Sequence, residues 1–90
     1  MKFKKKPEII EAYLFDGTYN TMERIKKIFP DIKTFSVEFH IENNTAYNWK
    51  IDTYEGRYIV TENDWIIKDS LGRFSICNNH IFTHLYDVFE

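Results

Sequence analysis

Glycine, proline and cysteine are all scarce in this chain, with three Gly, two Pro and one Cys among 90 residues. So little Gly and Pro excludes a flexible linker or a low-complexity segment. A lone thiol, Cys77, cannot form an intrachain disulfide and suits a reducing compartment. No apolar run exceeds four residues, far below the roughly 20 that span a bilayer. The basic start, Lys2 to Lys6, runs into Glu8 and Glu11 where a signal peptide would need apolar residues. A soluble, cytoplasmic protein is expected. Charge of neither sign dominates: 12 Lys and Arg against 14 Asp and Glu give a net −2. That lacks both the basic excess of a duplex-binding domain and the acidic excess of a nucleic-acid mimic. Gly17, Gly56 and Gly72 stand alone, so no phosphate-cradling loop is present.

Aromatic residues, by contrast, are abundant. Eight Phe, six Tyr and two Trp make up 18% of the chain, and large rings help a short sequence assemble a core. One domain over residues 1–90 is expected, with 1–6 as a basic arm. Residues 9–15 read as a strand with two apolar faces, hence a central one. Asn20-Thr21-Met22-Glu23 has the capping-box arrangement, and Met22, Ile25, Ile28 and Phe29 share one face of a short helix that Pro30 ends. Phe35, Val37, Phe39 and Ile41 alternate with polar residues, as do Tyr47, Trp49, Ile51 and Thr53, with a hairpin turn expected at Asn43-Asn44. Strands at 57–60, 64–68 and 73–77 follow, separated by turns at Glu55-Gly56 and Asp69 to Gly72. Asn78 or Asn79 caps a single helical turn through His84, with Ile81, Phe82 and Leu85 inward. Tyr86 to Phe89 reads as a last short strand with Val88 inward. The expected fold is α+β: a twisted antiparallel sheet of five to six strands covered by one short helix. Whether that sheet closes into a barrel is left open by the pattern.

Few residues combine into chemistry. Cys77, His80 and His84 have a spacing that a tetrahedral zinc could use, with Asp87 or water completing it. Three donors within eight residues also fit a buried thiol and two exposed imidazoles, which is the favoured reading. No base and oxyanion loop surround Cys77, and no catalytic constellation is recognisable elsewhere. Lys4, Lys5 and Lys6, with Lys2, form the one basic cluster; a weak phosphate-contacting arm is less favoured than a solvated terminus. Aromatics on neighbouring strands could stack bases or anchor a protein interface. The basic strand face of an RNA-binding sheet is absent, so Tyr54, Arg57, Tyr58, Asp64 and Trp65 are expected to bind a protein partner.

Lys5-Lys6-Pro7, Ile10-Glu11-Ala12 and Asp16-Gly17 open the chain. Glu55-Gly56, Val60, Asp64-Trp65-Ile66-Ile67-Lys68, Gly72, Phe74, Cys77, Ile81-Phe82 and Tyr86 close it. In this order the pattern resembles a family of short proteins encoded by tailed bacteriophages and prophages. Members commonly carry Pro-Gly where this chain has Glu62-Asn63, and tend to lack histidines at the positions of His80 and His84. The matching residues are turn formers, strand formers and aromatics, which describe a fold more than an active site. The resemblance implies a phage accessory protein inside a bacterium. Three functional expectations follow: a non-enzymatic module that binds and modulates a bacterial host or defence protein, a binder of a small nucleotide-type ligand, or a weak nucleic-acid binder. No cofactor is expected. A homodimer through an uncovered strand edge is a further expectation.

Overall fold

A computed structural model describes residues 1–4, 6–41 and 44–88, with the backbone alone described at 37–41 and 44–47. The elements are β1 (Glu11–Phe15), α1 (Tyr19–Ile28), β2 (Thr34–Ile41), β3 (Asn44–Thr53), β4 (Gly56–Val60), β5 (Asp64–Lys68), β6 (Phe74–Asn78) and α2 (Asn79–Leu85). The class is α+β, as expected, and all the sheet pairing is antiparallel. The six strands divide into two three-stranded sheets, ordered β1-β5-β6 and β2-β3-β4, and no closed barrel forms.

Position 9 does not begin the first strand, and β1 lies at an edge, not at the centre. Its second apolar face meets α1: the Tyr13 ring packs edge-on against Phe29 at 5.4 Å. The helix begins two residues earlier than the Asn20 cap implied. Gly17, at φ 87°, turns the chain at once, so Thr18 becomes the N-cap and its hydroxyl accepts the Thr21 N–H. Asp16 in turn accepts from the Thr18 N–H and hydroxyl at 2.9 and 2.6 Å. Phe29 closes the helix with its N–H on the Ile25 carbonyl, and Pro30 cannot continue it.

The core lies in the angle between the two sheets. Phe15, Ile66 and Phe74 come from the first sheet, Trp49, Ile51 and Val60 from the second, and Met22, Ile25 and Phe29 from α1 and its end. Each fully buried Ile or Met side chain here stabilises by about 1.5–3 kcal/mol. Lys68 ties the α1–β2 loop to β5 through Asp31, at 3.1 Å, while its ammonium lies over the Phe29 and Phe74 rings.

Opposite each other across the β2–β3 ladder stand Phe35 and Lys50, and Ser36 and Trp49. Directly opposed residues share a face, so Phe35 and Trp49 face opposite ways. Trp49 enters the core, while Phe35 is half-buried on the outer side beneath the Arg57 guanidinium, 3.5 Å from its ring centroid. β4 pairs only with Trp49–Thr53, so the far half of the hairpin is two-stranded. The result is elongated, 56 × 30 × 26 Å, with a radius of gyration of 14.8 Å against about 12 Å for an ordinary domain of this length. Asn44 opens β3 opposite Ile41, and the rest of the expected Asn43-Asn44 turn lies outside the described residues.

Several inward assignments at the C-terminal end are corrected. Ile81, Leu85 and Val88 are exposed, because Phe82 and Tyr86 are the rings α2 turns toward the sheet. Residues 86–88 form no strand, and Phe89 lies outside the described residues.

Among the described residues four carboxyls are held below their ordinary value. Asp16 is lowered to about 2 by the Thr18 hydroxyl and N–H, Asp31 is lowered by Lys68, Asp52 by Arg57, and Asp69, against the opposing effect of its burial, by hydrogen bonds from Arg73. A lowered folded value means the unfolded chain takes up protons first, so this stabilisation is present above about pH 4 and is lost as pH falls below it, the Asp16 part as pH falls toward about 2. Urea midpoints should hold steady above about pH 4 and drop below it, with a shallower drop in Asp16→Asn. Equal slopes in both proteins would contradict the Asp16 assignment.

Candidate interaction site

Asn63 organises the region that holds two of the expected site residues, Asp64 and Trp65. Its backbone sits in the left-handed region, φ 69°, which Asn tolerates better than most residues. Its N–H donates to the Phe15 carbonyl at 2.8 Å, and its own carbonyl accepts the Asn79 N–H at 3.0 Å. One residue therefore joins the end of β1 to the start of α2. Beside it, Asp64 accepts from the Thr61 N–H and hydroxyl, both at 2.9 Å, and so closes the 61–64 turn.

Trp65 lies half-buried on the outer face of β5, the face opposite Ile66 and the core. Its ring stacks on Phe82 with centroids 4.2 Å apart and planes 10° from parallel. Its indole N–H donates to the Asn79 side-chain oxygen at 2.7 Å. These contacts fasten α2 to the sheet. Asp64 and Trp65 thus both have internal work, and neither lies beside Tyr54 and Tyr58. Asn79 was seen in the sequence only as a cap; Asn78 holds that role, accepting the His80 N–H, which frees the Asn79 side chain for Trp65.

Tyr54, Arg57 and Tyr58 sit around the β3–β4 turn and are exposed. Arg57 points to the outer face of its sheet, paired with Asp52 at 2.8 Å and stacked on Phe35. The Tyr54 ring carries the Arg73 guanidinium 4.8 Å from its centroid. Tyr54 and Tyr58 line a cleft of about 280 Å³ together with Thr53, Glu55, Ile59, Ser75 and Ile76. Neighbouring strand residues point to opposite faces, yet both Tyr58 and Ile59, and both Ser75 and Ile76, border this cleft. It therefore runs between strand edges and not over a sheet face. β4 and β6 are each an edge of their sheet, and the Tyr54 N–H donating to the Phe74 carbonyl at 3.1 Å closes the cleft at one end. Ile59, absent from the sequence-derived site, is half-exposed here; the sequence places it only within the 57–60 strand.

His80 and His84 lie one turn apart on α2 with ring centroids 4.9 Å apart. Cys77 does not join them: among the described residues no group of three or more His, Cys, Asp or Glu is arranged to hold a metal. Burial, and then the Asp64 carboxylate, push the Cys77 thiol above its ordinary value, which works against a thiolate ligand or nucleophile. Lys2, Lys4 and Lys6 are exposed, while Lys5 lies outside the described residues. Among the described residues no helix is long and apolar enough to cross a membrane.

No family model matches the chain, and neither a curated protein nor a solved structure matches it.

The Trp65 contacts predict a structural phenotype. Trp65→Ala should lower unfolding free energy by about 2–3 kcal/mol, and Trp65→Phe, which keeps the stack, by only about 1 kcal/mol. Urea denaturation followed by circular dichroism measures both. A neutral Trp65→Ala would remove Trp65 from the structural framework.

Proposed function

We propose that this chain is a non-enzymatic interaction module that binds and modulates a bacterial host or defence protein inside the cell. The observation that carries the binding part is the cleft between β4 and β6, two sheet edges facing one another with Tyr54, Tyr58 and Ile59 exposed along it. Strand edges present backbone donors and acceptors, so their natural partner is another extended backbone. Half-exposed tyrosines beside them supply large contact area with few rotatable bonds, a common make-up for interface anchors. The bacterial and phage setting is supported by the resemblance of the opening and closing sequence patterns.

Two features favour a protein over a nucleotide-type ligand in this cleft. Glu55 lines it and would repel a phosphate, while the nearby Arg57 and Arg73 guanidinium groups are committed to Asp52 and Asp69, each at 2.8 Å. A volume of about 280 Å³ also falls at the bottom of the range for small-molecule sites.

Affinity capture from nuclease-treated bacterial lysate, read by mass spectrometry, tests this reading. The wild-type chain should retain one dominant protein, and a Tyr54→Ala/Tyr58→Ala variant with unchanged circular dichroism should lose at least about tenfold of it. Equal retention by the two proteins would move the interface away from the cleft. Recovery only without nuclease would favour the lysine arm as a nucleic-acid contact.

A further inference from the structure

A second apolar depression lies on the outer face of the β1-β5-β6 sheet and shares no residue with the cleft. Its volume is about 670 Å³, and Ile9, Ile10, Trp65, Phe82, Tyr86 and Val88 form most of its apolar lining. Glu8 and Asp87 carry negative charge at its border. Ile9 and Val88 of this lining are exposed, and so is Leu14, which stands opposite Trp65 on the same face of the sheet. Such a concentration on one side of a small domain marks a surface that another chain covers.

Residues 1–6 have the complementary character. Met1 and Phe3 are 109% and 88% exposed, so these two large apolar side chains rest on nothing in their own chain. The same segment holds four of the twelve Lys and Arg, so the rest of the chain carries eight against fourteen acidic residues, a net −6. A basic segment with apolar anchors thus extends from an acidic body whose groove is apolar with acidic borders. The segment also leaves the body at the groove itself, since residues 8–10 form one wall. A twofold axis beside that wall would bring the start of each segment against the partner's groove, and six extended residues reach about 20 Å.

We propose that residues 1–6 of one copy occupy the groove of a second copy, giving a symmetric arm-exchanged dimer. Phe3 enters between Phe82, Tyr86 and Val88, and Lys4 and Lys6 face Asp87 and Glu8 of the other copy. The proposal is independent of the partner-binding cleft, whose residues stay uncovered in such a dimer.

Sedimentation velocity of the full chain across a concentration series tests it. The wild type should pass from monomer to dimer, and Phe3→Ala and Lys4→Glu/Lys6→Glu should each raise the dimer dissociation constant about tenfold or more. Adding Asp87→Lys to the Lys4→Glu/Lys6→Glu variant should restore part of the loss, because the charges then pair in reverse. A Phe3→Cys/Val88→Cys protein in a Cys77→Ser background should form disulfide-linked dimers under oxidation. A chain that stays monomeric throughout, or a dimer unaffected by these arm substitutions, would overturn the proposal. All of these variants except Cys77→Ser change exposed positions, so circular dichroism should confirm that each remains folded.

Discussion

Everything in this domain depends on the wedge that α1 drives between two small sheets. A three-stranded sheet has too little apolar face to be stable by itself, and here neither sheet packs squarely on the other. Met22, Ile25 and Phe29 fill the angle, so each sheet buries its face against the helix and, through it, against the other sheet. Phe29 is the pivot. Its ring touches Tyr13 of β1 and Phe74 of β6 edge-on, and the Lys68 ammonium stands over it. The residue lies just beyond the last helical turn, where Pro30 stops the chain, so the helix end and the core centre are fixed by the same few atoms.

A second constraint acts on the far side of the β1-β5-β6 sheet. There Ile67 is buried outside the main cluster, and the Trp65–Phe82 stack holds α2 on the same face. The helix is only seven residues long and could not persist alone. It holds because the left-handed Asn63 presents its carbonyl to the first helical N–H while Asn79 grips the Trp65 indole. The turn before β5 and the helix after β6 are therefore one unit. Asp64 and Trp65, expected as partner contacts, therefore support the framework.

Much of this could be read directly from residue order. Alternation and turn residues located β2, β4, β5 and β6 within one residue and β3 from three residues inside its start, and the helix followed from Met22, Ile25 and Phe29 with Pro30 behind them. Its start was missed because Asn20 offered a good cap while Thr18, positioned by Gly17 and Asp16, is the cap used two residues sooner. The division into two sheets was invisible, since pairing partners are not encoded in period alone. Phe35 and Trp49 are both odd-numbered, and any two-residue turn between their strands pairs odd with even positions, which forces them to opposite faces. The candidate site was legible in its tyrosines but not in its geometry, because a cleft between edges exists only once the sheets have separated.

That separation gives the cleft its meaning. Small β-rich proteins normally guard open edges with lysine, proline or a covering loop, since a bare edge invites pairing with any extended chain. β6, Phe-Ser-Ile-Cys-Asn, contains no charged residue, and β4, Gly-Arg-Tyr-Ile-Val, contains one, whose guanidinium is turned to the outer face onto Phe35. The two edges meet at one end only, where the Tyr54 N–H bonds the Phe74 carbonyl. Keeping it open, unguarded and lined by exposed tyrosines runs against stability and solubility alike. In the reading proposed above, the extended backbone of a partner would pair with these two edges and complete them.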